Sequence, residues 1–166
     1  MKKTLIYGYG NPGRQDDGLG IMLTEHLEQW VNENQIQHIA FDANYQLNIE
    51  DASLIKDFDL VIFVDASIED IEGIDLTSVI PSQKTEFTMH AMAPEFVLHL
   101  CHTLYGKFPA TYLLHLKGYQ FDFLAEPTAG ARRNLKKGID LLKAMLGGSF
   151  DLTEQFISNH SIQTIK

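Results

Sequence analysis

Asp17, Asp65 and His90 are the three side chains of this 166-residue chain whose types and positions best suit a divalent cation. Two carboxylates and one neutral imidazole make a hard-to-borderline donor set that leaves room for water or substrate. Asp16 and Asp17 stand side by side where a helix should begin. A helix start accounts for one of them, because a carboxylate there accepts backbone N–H bonds and suits the dipole. The second must point elsewhere, and Gly18 leaves space beside it. Asp65 closes the run Val61-Ile62-Phe63-Val64, where its plain role would be an Asx-type cap on the next loop. His90 lies between Met89 and Met92, and such apolar company favours imidazole over imidazolium.

These groups are useful only if the fold gathers them. Residues 3–8 read as a buried strand. Residues 17–34 read as a helix, with Leu19, Leu23, Leu27 and Val31 four apart. Residues 36–42 read as a second strand and 48–56 as a short acidic helix. Residues 59–65 are the clearest strand, apolar on both faces as in a parallel sheet covered by helices. A short strand is expected at 84–88. A helix begins at Pro94 and ends at Gly106; a strand follows at 111–118. Thr128 caps a last helix, 129–146, closed by Gly147-Gly148, with 149–166 as a frayed or docked tail. Strands alternating with helices imply one domain of α/β class. The expected form is a three-layer α/β/α sandwich with a mainly parallel five-stranded sheet. Ligands of open α/β sheets bind beyond the carboxyl ends of the strands. The Gly8–Asp17 loop, Asp42, Asp65 and His90 are all expected at that rim.

Composition narrows the function. Thirteen Lys+Arg against 22 Asp+Glu give a formal charge of −9, which repels nucleic acid over most of the surface. The one cysteine, Cys101, excludes an internal disulfide and a multi-thiolate metal site. It falls on the apolar side of its helix and reads as an inert core thiol. No apolar run approaches a membrane span of about 20 residues. A cytoplasmic protein with no membrane partner is expected.

Two motifs mislead. Gly8-Tyr9-Gly10-Asn11-Pro12-Gly13 is a literal G-x-G-x-x-G after a strand, and Asp42 ends the second strand, where a ribose-binding acid would stand. A nucleotide-binding oxidoreductase is therefore an alternative. Against it, Pro12 removes a backbone donor, and Asp16 and Asp17 bring negative charge to the place of the phosphates. The tetrapeptide Gly10-Asn11-Pro12-Gly13 also looks like the start of a peptidyl-tRNA hydrolase. The continuation Arg14-Gln15-Asp16-Asp17-Gly18 lacks that family's histidine.

The pattern G-x-G-N-x-x-x-x-D-D-G-x-G over residues 8–20 resembles the maturation endopeptidases of [NiFe] hydrogenases. The resemblance extends to Asp42 closing the second strand, to Asp65-Ala66 after an apolar strand and to His90 before a helix. It spans roughly residues 3–146. It implies a phosphorylase/hydrolase-like sandwich and a metal at the rim on Asp17, Asp65 and His90. Familiar members carry Glu followed by Ala where this chain has Asp17 and Gly18. Many carry glycines after the second-strand acid, where this chain has Ala43-Asn44-Tyr45-Gln46-Leu47.

The resemblance further implies an aspartic-type endopeptidase that removes the C-terminal extension of a nickel-loaded large-subunit precursor. The nickel would come with the substrate, although another divalent cation could fill the site in vitro. Asp17, Asp65 and His90 would be the catalytic and metal-facing residues. Gly8, Gly10, Asn11, Asp42 and Gln46 would shape the loop and contact the substrate. The expected partner is the hydrogenase precursor, the expected state a monomer. A chaperone that binds the same partner without cutting it is the remaining alternative.

Overall fold

The computed structural model describes residues 1–83 and 92–148. Its strands are β1 (Thr4–Tyr9), β2 (Ile39–Asn44), β3 (Leu60–Ser67), β4 (Ile74–Ser78) and β5 (Ala110–Lys117). Its helices are α1 (Leu19–Glu33), α2 (Asp51–Ile55), α3 (Pro94–Tyr105) and α4 (Ala129–Leu146). The strands form one sheet in the order β2-β1-β3-β5-β4, with β4 antiparallel to β5 and the other pairs parallel.

Alternation along the strands makes the three layers. Leu5, Tyr7, Val61, Phe63 and Leu113 face α2 and α3 and pack on Ala52, Ile55, Val97, Leu98 and Cys101. Their neighbours Ile6, Ile62, Val64, Leu114 and Leu116 face α1 and α4 and pack on Leu19, Leu23, Leu27, Leu135 and Leu142. Period-2 side-chain direction thus gives each central strand two apolar faces, each covered by helices. The Cys101 thiol is buried in the first of these layers, and that burial pushes its pKa up.

Most expected elements are present with shifted ends. The helix expected over 17–34 is divided: Gln15–Gly18 form a 3-10 turn, and α1 runs from Leu19. Thr128 caps α4, accepting from Ala131 N–H at 3.2 Å, and Gly106 ends α3 in the left-handed region. Two corrections concern the sheet. Strand β2 begins and ends later than expected, so Asp42 lies within it rather than at its end. The fifth strand is β4, over residues not expected to form a strand, and the expected strand at 84–88 lies outside the described residues. Strand β3 also continues two residues past Asp65.

Candidate active site

The adjacent acids Asp16 and Asp17 diverge. Asp16 is 0% exposed, and its carboxylate accepts four bonds. Three come from the amides of Tyr119 (2.8 Å), Gln120 (3.1 Å) and Thr128 (2.7 Å), and one from the Thr128 hydroxyl (2.8 Å). Burial disfavours its charge, but these bonds outweigh burial and hold its carboxyl below the ordinary range. The helix this acid serves is not its own. It sits on the N-cap of α4, where the dipole favours an anion.

Asp17, half-buried, turns to the rim instead. Its Oδ2 accepts from Asn11 N–H at 3.0 Å, and its own N–H donates to the Arg14 carbonyl. Gly10 lies beneath it with φ +135°, and a Cβ there would stand 2.1 Å from the Asp17 carbonyl oxygen. Only glycine fits this place. The loop is closed further by Gly13 N–H to Asn11 Oδ1 at 2.9 Å and Arg14 N–H to the Asn11 carbonyl at 3.0 Å.

Asp65 is half-buried on β3 and faces Asp17. Burial first, and the charge of Asp17 second, push its carboxyl up to about 7. The Ala66 amide and the Tyr9 hydroxyl, both hydrogen-bonded to it, offset part of this rise. Burial and the nearby Asp65 and Glu95 in turn push the Tyr9 phenol well above its ordinary value. Tyr9 packs edge-on to Phe63, with ring centroids 6.4 Å apart. Two carboxylates so arranged repel each other, and a cation between them would relieve the repulsion.

His90 lies outside the described residues. The flanks of its segment meet at the start of α3: Ser82 N–H donates to the Glu95 carbonyl at 3.1 Å, and Met92 packs on the layer containing Tyr9 and Phe63. Among the described residues no group of three His, Cys, Asp or Glu side chains could hold a metal ion. The described donors are thus the pair Asp17 and Asp65.

The remaining expected site residues divide. Gly10 and Asn11 shape the rim loop. Gly8 is buried under α1; a Cβ there would meet the Gly20 carbonyl oxygen at 2.2 Å. Helix-on-strand packing accounts for it. Asp42 is exposed on β2, opposite Tyr7, and therefore one rung below the rim. Its charge acts on Asp51, which accepts from the Tyr7 hydroxyl at 3.1 Å. Gln46 is exposed in the loop after β2. Neither is brought against Asp65.

The dinucleotide alternative fails on the same loop. A pyrophosphate cradle needs unpaired amides. Here Gly10 N–H donates to the Asn44 carbonyl, and the amides of Asn11, Gly13 and Arg14 are all used within the loop. Pro12 has none.

Sequence reasoning missed Tyr9, Glu95 and His115 as neighbours of the site. Tyr9 falls in the loop expected after residues 3–8, whereas β1 runs on to include it, and His115 falls inside the strand expected over 111–118. Nothing in one sequence tells which residue of β5 lies beside Asp65. Register does: His115 is the partner of Asp65 on one side and of Asp75 on the other.

No family model and no curated protein matches the chain. Solved structures do. The [NiFe] hydrogenase maturation protease HycI from Thermococcus kodakarensis superposes with a TM-score of 0.70 at 20% identity, over 88% of this chain and 94% of that one. The hydrogenase maturating endopeptidase HybD from E. coli gives 0.66 at 18%, over 89% and 93%. A hydrogenase 2 maturation peptidase from a Thaumarchaeota archaeon gives 0.62 at 20%, over 88% and 99%. The TM-scores and the coverage of both chains agree: the chain has the fold of the [NiFe] hydrogenase maturation proteases.

Proposed function

We propose that this chain is an endopeptidase that removes the C-terminal extension of a nickel-loaded [NiFe]-hydrogenase large-subunit precursor. The nickel is the substrate's own, and the protease reads its presence before the bond is cut. One observation carries the reading: Asp17 and Asp65 converge on the carboxyl rim, and Asp65 is raised to about 7 by burial and by the charge of Asp17. Such a pair gains from an arriving cation. With His90 it would supply three donors and leave positions open for the substrate.

The shared fold supports the peptidase class, and the opening motif supports the assignment of Asp17. A carboxyl group near 7 also suits a general base at neutral pH. Gly10 and Asn11 hold the loop that aims Asp17. Asp42, exposed on β2, and Gln46, exposed in the loop after it, are assigned to the substrate tail. The protein acts in the cytoplasm as a monomer, with no permanent metal, no nucleic acid and no membrane partner.

The test is processing of nickel-loaded precursor by Asp17→Ala, Asp65→Ala and His90→Ala. Each substitution is expected to lower kcat/KM by at least about 100-fold. Wild-type processing by all three variants would end the proposal.

A further inference from the structure

One rung above the core, the sheet carries a row of polar side chains. Tyr9 pairs with Asn44, Asp65 pairs with His115, and His115 pairs with Asp75. The Gly8–Val64 register, continued by one residue, sets Tyr9 beside Asp65. The row therefore runs Asn44-Tyr9-Asp65-His115-Asp75 across all five strands. Tyr9, Asp65 and His115 follow Tyr7, Phe63 and Leu113 by two residues, so they share the face covered by α3. Adjacent strands lie about 4.8 Å apart, which makes His115 an immediate neighbour of Asp65.

His115 is also oriented. Its Nε2 lies 3.0 Å from Thr77 Oγ1 on β4. Its ring is half-buried, and the negative charges of Asp75, Glu95 and Glu69 act on it. Glu95, in the first turn of α3, acts electrostatically on both Tyr9 and His115. Packing alone would be served by an aliphatic residue at this place, like Leu113 and Val61 below. A polar ring held by a threonine next to Asp65 asks for another use.

We propose that His115 is a substrate-binding residue of this same site, with Thr77 as its positioning residue. The row offers both donors and acceptors, so the matching chemistry is an extended peptide segment, whose N–H and C=O groups alternate, lying along the carboxyl edge of β3 and β5. This inference rests on the peptidase reading and adds to it the direction in which the substrate chain runs from Asp65.

The experiment uses the full-length chain and nickel-loaded precursor, with the wild type, Asp65→Asn, His115→Ala, His115→Asn and Thr77→Val measured side by side. His115→Ala should raise KM about three- to tenfold with kcat within twofold, as loss of one hydrogen bond in uniform binding would. His115→Asn should restore most of the KM, and Thr77→Val should raise it part of the way. A merely structural role would lower the active fraction, and so the apparent kcat, while leaving KM alone. Wild-type KM in His115→Ala, with Asp65→Asn inactive, would overturn this inference and spare the peptidase reading. No cleavage by the wild type would overturn both. Should His115→Ala fail to fold, wild-type KM in Thr77→Val would decide against it.

Discussion

Asp65 carries two penalties in the folded protein, burial and the facing charge of Asp17, and they raise its pKa to about 7. In the unfolded chain an aspartate titrates at about 3.9. Between these values the native state holds the proton and the unfolded state does not. Stability should therefore fall as pH rises from about 4 to 7 and then level off. Asp65→Asn removes this component. Urea unfolding at pH 5 and pH 8 should show the wild type losing on the order of 2 kcal/mol more than the variant over that interval. Equal losses would contradict the raised pKa. The need for Asp65 and its apolar strand was legible in the sequence. Its partner Tyr9 was not, because between Gly8 and Gly10 it reads as part of a glycine-rich loop, and only the extension of β1 through Tyr9 sets it beside Asp65.

At the scale of elements, the joint that matters is between the 3-10 turn and α4. Asp16 ties the amides of Tyr119, Gln120 and Thr128 to the turn that presents Asp17. The sequence suggested that one of the adjacent acids serves a helix end, and one does. The helix, however, is α4, more than a hundred residues on, and such long-range capping has no local signature. Asp16→Asn would place an amide donor against these donors. It should cost about 2–3 kcal/mol in urea unfolding and speed hydrogen exchange at Thr128. Unchanged stability and exchange would show that the joint is not held as described. Strand β4 escaped the sequence for a related reason. Ile74-Asp75-Leu76-Thr77-Ser78 is short and weakly patterned, and its strand character comes from antiparallel pairing with β5. The long central strands β1, β3 and β5, apolar on both faces, needed no such context.

Over the whole molecule, the α/β alternation made the layered fold and the ligand-binding rim predictable before any coordinate. The topology then brings Asp17 after β1, Asp65 on β3 and His115 on β5 to one carboxyl edge, though they are up to 98 positions apart in sequence. Asp42 shows the limit of that reasoning: two more residues of β2 leave it a rung too low. The same scale explains why G-x-G-x-x-G is no phosphate cradle here. In this motif Gly8 lets α1 press onto β1, where a Cβ would stand 2.2 Å from the Gly20 carbonyl oxygen, and Gly10 makes room for the 3-10 turn, where a Cβ would stand 2.1 Å from the Asp17 carbonyl oxygen. Its amides are spent in holding Asn11 and Asp17 in place.

The most direct measurement is the mass of a hydrogenase large-subunit precursor after incubation with this chain, with and without nickel loaded. The account predicts loss of the C-terminal extension from the nickel-loaded precursor, an intact nickel-free precursor, and no cleavage of either by Asp65→Asn. An unchanged mass for the loaded precursor, or equal cleavage of both forms, would contradict it.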